Sequence, residues 1–466
     1  MTTRRVAATV ATAAAATATV LTVASPASAH GVGGRSDLPV PLWQFLYAAS
    51  FALIISFLLL RVSWHRPRFA AAATGRALGP LADRVVGVLV VLLRALGLAL
   101  FVVTLSAAWF GDTNSRNNIA PVMVYVLLWV GVQILSVLFG NVWSALSPFD
   151  TIAAVASWVR TRKSPAAVAA HSPGESFVWS HWPAAIGVFG FVWLELCYHS
   201  QAEPRVLARV ITGYSVVVLA FAARYGRRWL RTGDAFAALF GLLAVMAPLH
   251  RDSEGRLRAR LPFSGLAEFV PRRGSIALMA VMLGSTGFDG VQRTRWWGDV
   301  QGSSTGWDRT WLSTFGLAWT IGIVAVAYVV AAMAVGRLAG TPTRDAPRRY
   351  VHSLVPIVFG YSIAHYFTLL IIEGQSAIPL FSNPYGENWN LFGTVDYVIN
   401  IQPLSARAVS WVQVLAIVIG HVVGVVASHD RAVEHHSHQV ATRSQLPMLI
   451  VMILFTLGGL ALLLKG

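Results

Sequence analysis

The chain has 466 residues, of which 56% are hydrophobic and only 12% are charged. This composition excludes an ordinary soluble domain, which covers its surface with charged residues, and predicts a protein for which lipid is the main solvent. The formal net charge is +16, yet the arginines stand in short clusters between apolar runs, where they orient a membrane protein rather than form a nucleic-acid-binding face. We therefore expect a lipid bilayer, and no nucleic acid, as a partner of this chain.

The N-terminal segment has the pattern of an export signal. Two early arginines precede an apolar stretch over residues 6–23, and the Ala-Ser-Ala sequence at 27–29 fits the small-x-small rule for cleavage. We predict a signal peptide over residues 1–29 and a mature N-terminus at His30. An uncleaved first helix is the alternative.

About ten apolar runs are long enough to cross the ~30 Å hydrocarbon layer of a bilayer at ~1.5 Å per helical residue. They lie at residues 41–60, 85–110, 119–146, 182–199, 206–223, 275–288, 311–335, 351–372, 409–428 and 447–464. The sequence thus predicts an all-α fold, a polytopic transmembrane helix bundle. Residues 30–466 are expected to form a single integral membrane helical domain.

A shorter apolar run at residues 235–249 has arginines on both sides. Both flanks prefer the cytoplasm by the positive-inside rule, so we predict a re-entrant or interfacial helix there. With this assignment the basic loops near residues 66–76, 160–163, 224–273, 337–349 and 431–443 fall on the cytoplasmic side of a cytoplasmic (inner) membrane, and the mature N-terminus is external. Residues 374–406 contain no Lys or Arg and are expected to form an ordered external cap.

Four ionisable residues are predicted to lie in the outer half of the bilayer or at its outer edge, namely Glu195, His199, Asp289 and His365. Charges at membrane depth are costly and therefore usually have a partner or a function. Glu195 and His199 are four residues apart, which on a helix places them on one face, as a proton-relay pair or two metal ligands would be. The structural alternatives are a helix cap for Asp289 and a carbonyl hydrogen bond for His365.

Asp289 belongs to the segment Gly-Ser-Thr-Gly-Phe-Asp-Gly at residues 284–290. Its glycines and hydroxyl residues predict a break in the helix, and broken helices at membrane depth usually line a cavity.

A divalent metal, Zn or Cu, is a further possibility, with His30, Glu195 and His199 as candidate ligands. A free N-terminal His30 offers its α-amine and imidazole to Cu²⁺, and the histidines between residues 429 and 438 could collect metal in the cytoplasm.

Four segments carry a resemblance to a known family: residues 30–41, 191–195, 231–236 and 284–290. They resemble actinobacterial and proteobacterial membrane proteins that are labelled fenitrothion hydrolase. The resemblance implies attack of water on a phosphotriester, which normally requires a metal-bound hydroxide. The four intramembrane residues named above would then be the candidate ligands.

Three functions follow from these patterns. The first is transport or permeation of a small solute or ion through a polar site in the outer half of the bundle. The second is a membrane-embedded metal-dependent hydrolase that acts on organophosphotriesters. The third is a metal-handling or assembly partner without catalysis.

Overall fold

The structure is a computed structural model that describes residues 40–163 and 180–465. The predicted signal peptide and His30 lie outside these residues. The prediction of an all-α polytopic membrane protein is confirmed: eight of the described helices are long and apolar enough to cross a membrane, and the only sheet among the described residues is very small.

The helices and strands follow one another along the chain in this order. The part before the gap contains α1 Leu42–Ser63, α2 Phe69–Ala73, β1 Arg76–Ala77, α3 Pro80–Phe110, α4 Ile119–Phe139, α5 Trp143–Leu146 and α6 Pro148–Lys163. The middle contains α7 Trp182–Leu196, α8 Pro204–Tyr225, α9 Arg227–Gly233, α10 Ala235–Leu243, β2 Leu249–Arg251, β3 Leu257–Ala259, α11 Ser275–Gln292 and α12 Arg295–Gln301. The last part contains α13 Gly306–Leu338, α14 Ala346–Tyr350, α15 Leu354–Ile372, α16 Ala377–Ser382, α17 Ala406–His435, α18 His438–Ser444 and α19 Leu446–Lys465.

Every predicted span contains a helix, but two of these helices fall short of a complete crossing by length and composition. Helix α7 has 15 residues, which span about 22 Å. Helix α11 has 18 residues and carries Asp289, and it is not among the eight long apolar helices. The count of about ten spans therefore stays a prediction, while the polytopic bundle is established.

The short apolar run of the middle region forms a bent pair of helices. Arg227–Gly233 and Ala235–Met246 meet at an angle of 70°. Nearly every residue of α10 is buried, so this helix lies inside the bundle and not on its surface. A bend of this kind is compatible with a re-entrant segment or with one broken span.

One end of the bundle, which we call the arginine-rich end, joins loops that the sequence assigns to one side of the membrane. The strands form an antiparallel sheet in the order β1-β3-β2, so residues just before α3 pair with residues in the segment between α10 and α11. The sheet was not predicted, because its strands are only two or three residues long. At the same end the Asp430 carboxylate accepts hydrogen bonds from Trp64 Nε1 at 2.8 Å and from the Arg68 amide at 2.7 Å.

The opposite end, which we call the cap end, gathers the loops that were predicted to be external. The amide of Asp112 donates to the carbonyl oxygen of Tyr385 at 2.8 Å, and the amide of Ile119 donates to the carbonyl oxygen of Pro384 at 3.2 Å. Gly386 has a φ of +78°, and a Cβ there would lie 2.7 Å from Cβ of Asp112. The region 374–406 is therefore packed onto the loop between α3 and α4.

The predicted helix break at residues 284–290 is absent, since α11 is continuous through this segment. The hydroxyls of Ser285 and Thr286 donate hydrogen bonds to carbonyl oxygens of their own helix at 3.0 Å. They do not disrupt the backbone hydrogen bonds of the helix. A Cβ on Gly284 would lie 2.5 Å from Cα of Ile321. The small residues thus allow α11 and α13 to approach closely, which is a common use of glycine in membrane helices.

Candidate functional site

The last turn of α7 brings a carboxylate into contact with a hydroxyl group from another helix. Oε2 of Glu195 accepts a hydrogen bond from the hydroxyl of Tyr366 at 3.1 Å. Tyr366 lies in α15 and is 4% exposed, while Glu195 is partly buried. The carboxylate therefore faces the interior of the bundle.

A second carboxylate approaches from α11. Oδ2 of Asp289 forms an ion pair with the Arg293 guanidinium at 3.0 Å, one helical turn further on, and it also contacts Nε2 of His365. The side chains of Asp289 and His365 are 15% and 7% exposed, whereas that of Arg293 is 56% exposed. Asp289 is therefore a buried acid with two basic partners, one of which reaches the surface.

The two carboxylates belong to one cluster. Asp289 acts electrostatically on both Glu195 and Tyr366, and the rings of His365 and Tyr366 are neighbours with centroids 4.7 Å apart. Three helices, α7, α11 and α15, thus bring together three of the four residues predicted from the sequence. We call Glu195, Asp289, His365 and Tyr366 the carboxylate cluster.

Helix α4 supplies an aromatic wall beside this cluster. Its middle, Met123–Gly131, is π-helical, a geometry that is rare and frequently found at functional sites. The ring of Trp129 lies 6.3 Å from that of Tyr366, and Tyr125 interacts electrostatically with Glu195. This wall could not be predicted from the sequence, because a π-helical turn leaves no simple periodic pattern in an apolar run.

His199 lies apart from the carboxylate cluster. Helix α7 ends at Leu196, so the spacing of four residues no longer places His199 on the same face as Glu195. The His199 ring is hydrogen-bonded through Nδ1 to the hydroxyl of Thr310 at 3.1 Å, and it lies 5.4 Å from the ring of Trp307. It therefore packs against the start of α13 at the cap end.

The residues that the structure describes do not form a metal site of the expected kind. Nowhere in residues 40–163 and 180–465 do three His, Cys, Asp or Glu side chains converge as ligands, so Glu195 and His199 have no third partner there. Three rings at the arginine-rich end pack together, with His438 4.3 Å from His65 and 6.0 Å from His429, but they do not converge on one point either. His30 lies outside the described residues.

The comparisons with known proteins identify no relative, since no family model, no curated protein and no solved structure matches this chain. The resemblance to membrane proteins labelled fenitrothion hydrolase therefore stays a prediction that depends on the four segments quoted above. The described side chains do not fit the metal-bound hydroxide that this resemblance implies.

The structure also reveals a buried acid that was not among the candidates. Asp234, at the junction of α9 and α10, is 1% exposed. Its carboxylate accepts hydrogen bonds from the hydroxyl of Tyr214, from the Phe236 amide at 3.3 Å and from Trp143 Nε1 at 3.5 Å. An Asp directly before an apolar helical run is a typical N-cap, and this was the signal that could have identified it.

Proposed function

We propose that this integral membrane protein transports a small solute or ion, and that the carboxylate of Glu195 binds the transported cation or proton. One observation carries the proposal. Among the described residues no basic side chain is paired with Glu195, whereas Asp289, its neighbour in the carboxylate cluster, has both Arg293 and His365.

An uncompensated carboxylate at membrane depth is expensive. The cost of an ionised side chain there is roughly 2.5–3.5 kcal/mol on insertion scales, and the like charge of Asp289 adds repulsion. A proton or a monovalent cation on Glu195 removes both contributions. The hydroxyl of Tyr366 holds the carboxylate in place without supplying a charge, so the site keeps its need for a mobile cation.

The surroundings of the carboxylate cluster favour a role in an ion path over a purely structural role. Arg293 is largely exposed and lies one turn from Asp289, so the cluster is within reach of the cap end. Towards the middle of the bundle the ring of Phe191 lies 4.5 Å from Trp129 and 5.4 Å from Phe236. In the proposed cycle these rings form the barrier that must open before an ion moves beyond Glu195.

The proposal includes an orientation in the cytoplasmic membrane. The arginine-rich end would face the cytoplasm by the positive-inside rule, and the cap end with the mature N-terminus would be external. Cysteine labelling at Ser253, in the turn between β2 and β3, checks this: an impermeant reagent added to intact cells should leave it unmodified. The hydrolase alternative has less support, because no set of three ligands converges among the described residues.

Ion flux through the reconstituted protein tests the role of Glu195. The full chain is placed in liposomes that contain a pH-sensitive dye, a potassium gradient with valinomycin sets an inward driving force, and proton entry is followed. Parallel assays with dyes specific for Na⁺ or K⁺ follow those ions instead of the proton, and the K⁺ assay omits valinomycin and uses the K⁺ gradient itself as the driving force. We expect flux of one of these ions above that of empty liposomes, and a loss of at least about tenfold in Glu195→Gln, equivalent to ~1.4 kcal/mol of binding or barrier energy.

The matched control is Glu203→Gln, which removes an exposed carboxylate from the loop after α7 and should leave the flux unchanged. Two results would overturn the proposal: wild-type protein that conducts none of the three ions above background, or a Glu195→Gln variant that keeps the full flux.

A further inference from the structure

A cavity at the arginine-rich end has arginines as half of its lining residues. Its volume is about 320 Å³. Three segments contribute to it: the loop before α11, the region of α14 and the end of α17. The lining residues are Phe269, Pro271, Asp345, Arg348, Arg349 and Arg431.

The charges of this cavity are not balanced by its own acids. Asp345 is the one acid in the lining, and neither Arg348 nor Arg349 forms an ion pair with any acid in the part of the chain that the structure describes. Arg431 has a long contact of 3.6 Å with Glu434, an acid that is 39% exposed. Three guanidinium groups thus face one cavity with a surplus of positive charge.

The wall of the cavity is fixed by contacts outside it. The Arg431 guanidinium donates to the carbonyl oxygen of Ala267 at 2.8 Å and its side chain is only 17% exposed. Phe269 is 6% exposed, and its ring lies 6.4 Å from that of His352. A guanidinium held in this way loses little conformational freedom when it binds a ligand, which favours binding.

The positive charge of the cavity comes from its arginines, because the nearby His436 is uncharged. Burial, with help from the nearby positive charge of Arg349, lowers the pKa of His436. Its imidazole is therefore neutral at neutral pH, and the recognition of an anion falls to the guanidinium groups.

The cavity lies where a membrane surface is expected. Helix α14 begins the candidate span Ala346–Ser382, and Arg431 lies near the end of the candidate span Ala406–His435. Basic pockets between the cytoplasmic ends of membrane helices are suited to phospholipid headgroups. Phe269 and Pro271 give the cavity an apolar side, which an acyl or glycerol portion can contact.

We propose that this cavity binds a phosphate group, either the phosphodiester of an anionic phospholipid or the phosphate of a soluble anion. Planar guanidinium donors match phosphate oxygens in pairs, and the cavity offers three of them on two helical segments. This inference is independent of the transport proposal, because it involves neither the carboxylate cluster nor a flux.

Binding by the full-length protein distinguishes the two sources. Calorimetric titration of the detergent-purified protein with inorganic phosphate measures the soluble anion, and native mass spectrometry with phosphatidylglycerol against phosphatidylcholine measures the lipid. In Arg349→Gln/Arg431→Gln we expect the binding of whichever probe is retained by the wild type to weaken at least about tenfold, since hydrogen bonds to charged groups are the strong ones.

Arg344→Gln is the matched control, because Arg344 is exposed in the loop directly before α14 and does not line the cavity. Arg348→Gln, which alters an exposed residue, repeats the test should the double variant fail to fold. Phosphatidylglycerol retained without inorganic phosphate identifies a lipid site, and the reverse identifies a soluble anion. The proposal is overturned if the wild type binds neither probe, or if the arginine variants bind as tightly as the control.

Discussion

Two acids inside this bundle, Asp234 and the partly buried Glu195, each accept a hydrogen bond from a tyrosine, yet their surroundings differ. Asp234 has Tyr214, a backbone amide and an indole nitrogen as donors. Within residues 40–163 and 180–465, Glu195 has the hydroxyl of Tyr366 as its one hydrogen-bond donor and a second acid, Asp289, nearby. Burial alone therefore does not indicate the role of a carboxylate. Its hydrogen-bond donors and the charges around it indicate whether it stabilises the fold or binds an ion.

At Asp234 the hydrogen bonds close a bend in the chain. The hydroxyl of Tyr214 donates to Asp234 and accepts from the Ala235 amide at 3.0 Å. The same carboxylate caps α10 through the amide of Phe236. All these contacts hold the junction of α9 and α10, so the Asp234 pair stabilises the fold, whereas the Glu195 pair leaves a charge to be met by a mobile ion.

The largest effect on stability is expected at Asp234. Replacement by Ala removes the cap of α10 and leaves the Tyr214 hydroxyl and the Trp143 nitrogen without their acceptor. A lost cap costs about 0.5–2 kcal/mol and an unsatisfied buried group about 1–3 kcal/mol, so Asp234→Ala should destabilise the protein by about 2–4 kcal/mol. Thermal unfolding in detergent, followed by circular dichroism, measures the change.

Glu195→Gln is the companion variant in that experiment. It removes a charge without removing a cap, and we expect unfolding within about 1 kcal/mol of the wild type. Equal destabilisation by the two variants would remove the distinction between a structural acid and a binding acid.

Substitution of the two tyrosines should show the same distinction, with smaller effects than substitution of the acids. Tyr214 should affect stability, and Tyr366 should affect ion flux. Tyr214→Phe removes one buried hydroxyl from the bend and should lower the free energy of unfolding by about 1–2 kcal/mol. Tyr366→Phe leaves the fold stable but removes the hydrogen bond that positions the Glu195 carboxylate, so the ion flux should fall about two- to fivefold. Thermal unfolding and liposome flux are measured on both variants, and a Tyr214→Phe that alters flux alone would reverse the assignment.

The overall fold could be predicted from the sequence because it depends on long apolar runs and on arginine clusters. Hydropathy located the helices, and the loops assigned to one side do meet, as β1 and β3 at one end and Asp112 with Tyr385 at the other demonstrate. The carboxylate cluster was partly accessible for the same reason, since Glu195, Asp289 and His365 stand out as charges in apolar surroundings.

The remaining features depend on local geometry that residue types do not determine. A glycine at 284 suits a helix break and a close helix contact equally well, and only the position of Ile321 decides between them. Likewise Tyr366 and Trp129 look like ordinary core residues until the π-helical turn and α15 place them beside Glu195.

The smallest effect is expected at His199, although its sequence position suggested a pair with Glu195. The helix that would have aligned the two ends at Leu196, and the exposed imidazole bonds to Thr310 instead. Because an exposed substitution outside the cluster usually changes energies by no more than about 0.5 kcal/mol, His199→Gln should leave the ion flux within about twofold of the wild type. Flux in the liposome assay is compared for His199→Gln, Glu195→Gln and the double variant, and the double variant should match Glu195→Gln alone. A His199→Gln variant as inactive as Glu195→Gln would show that the imidazole reaches the carboxylate during transport. His199 would then belong to the carboxylate cluster.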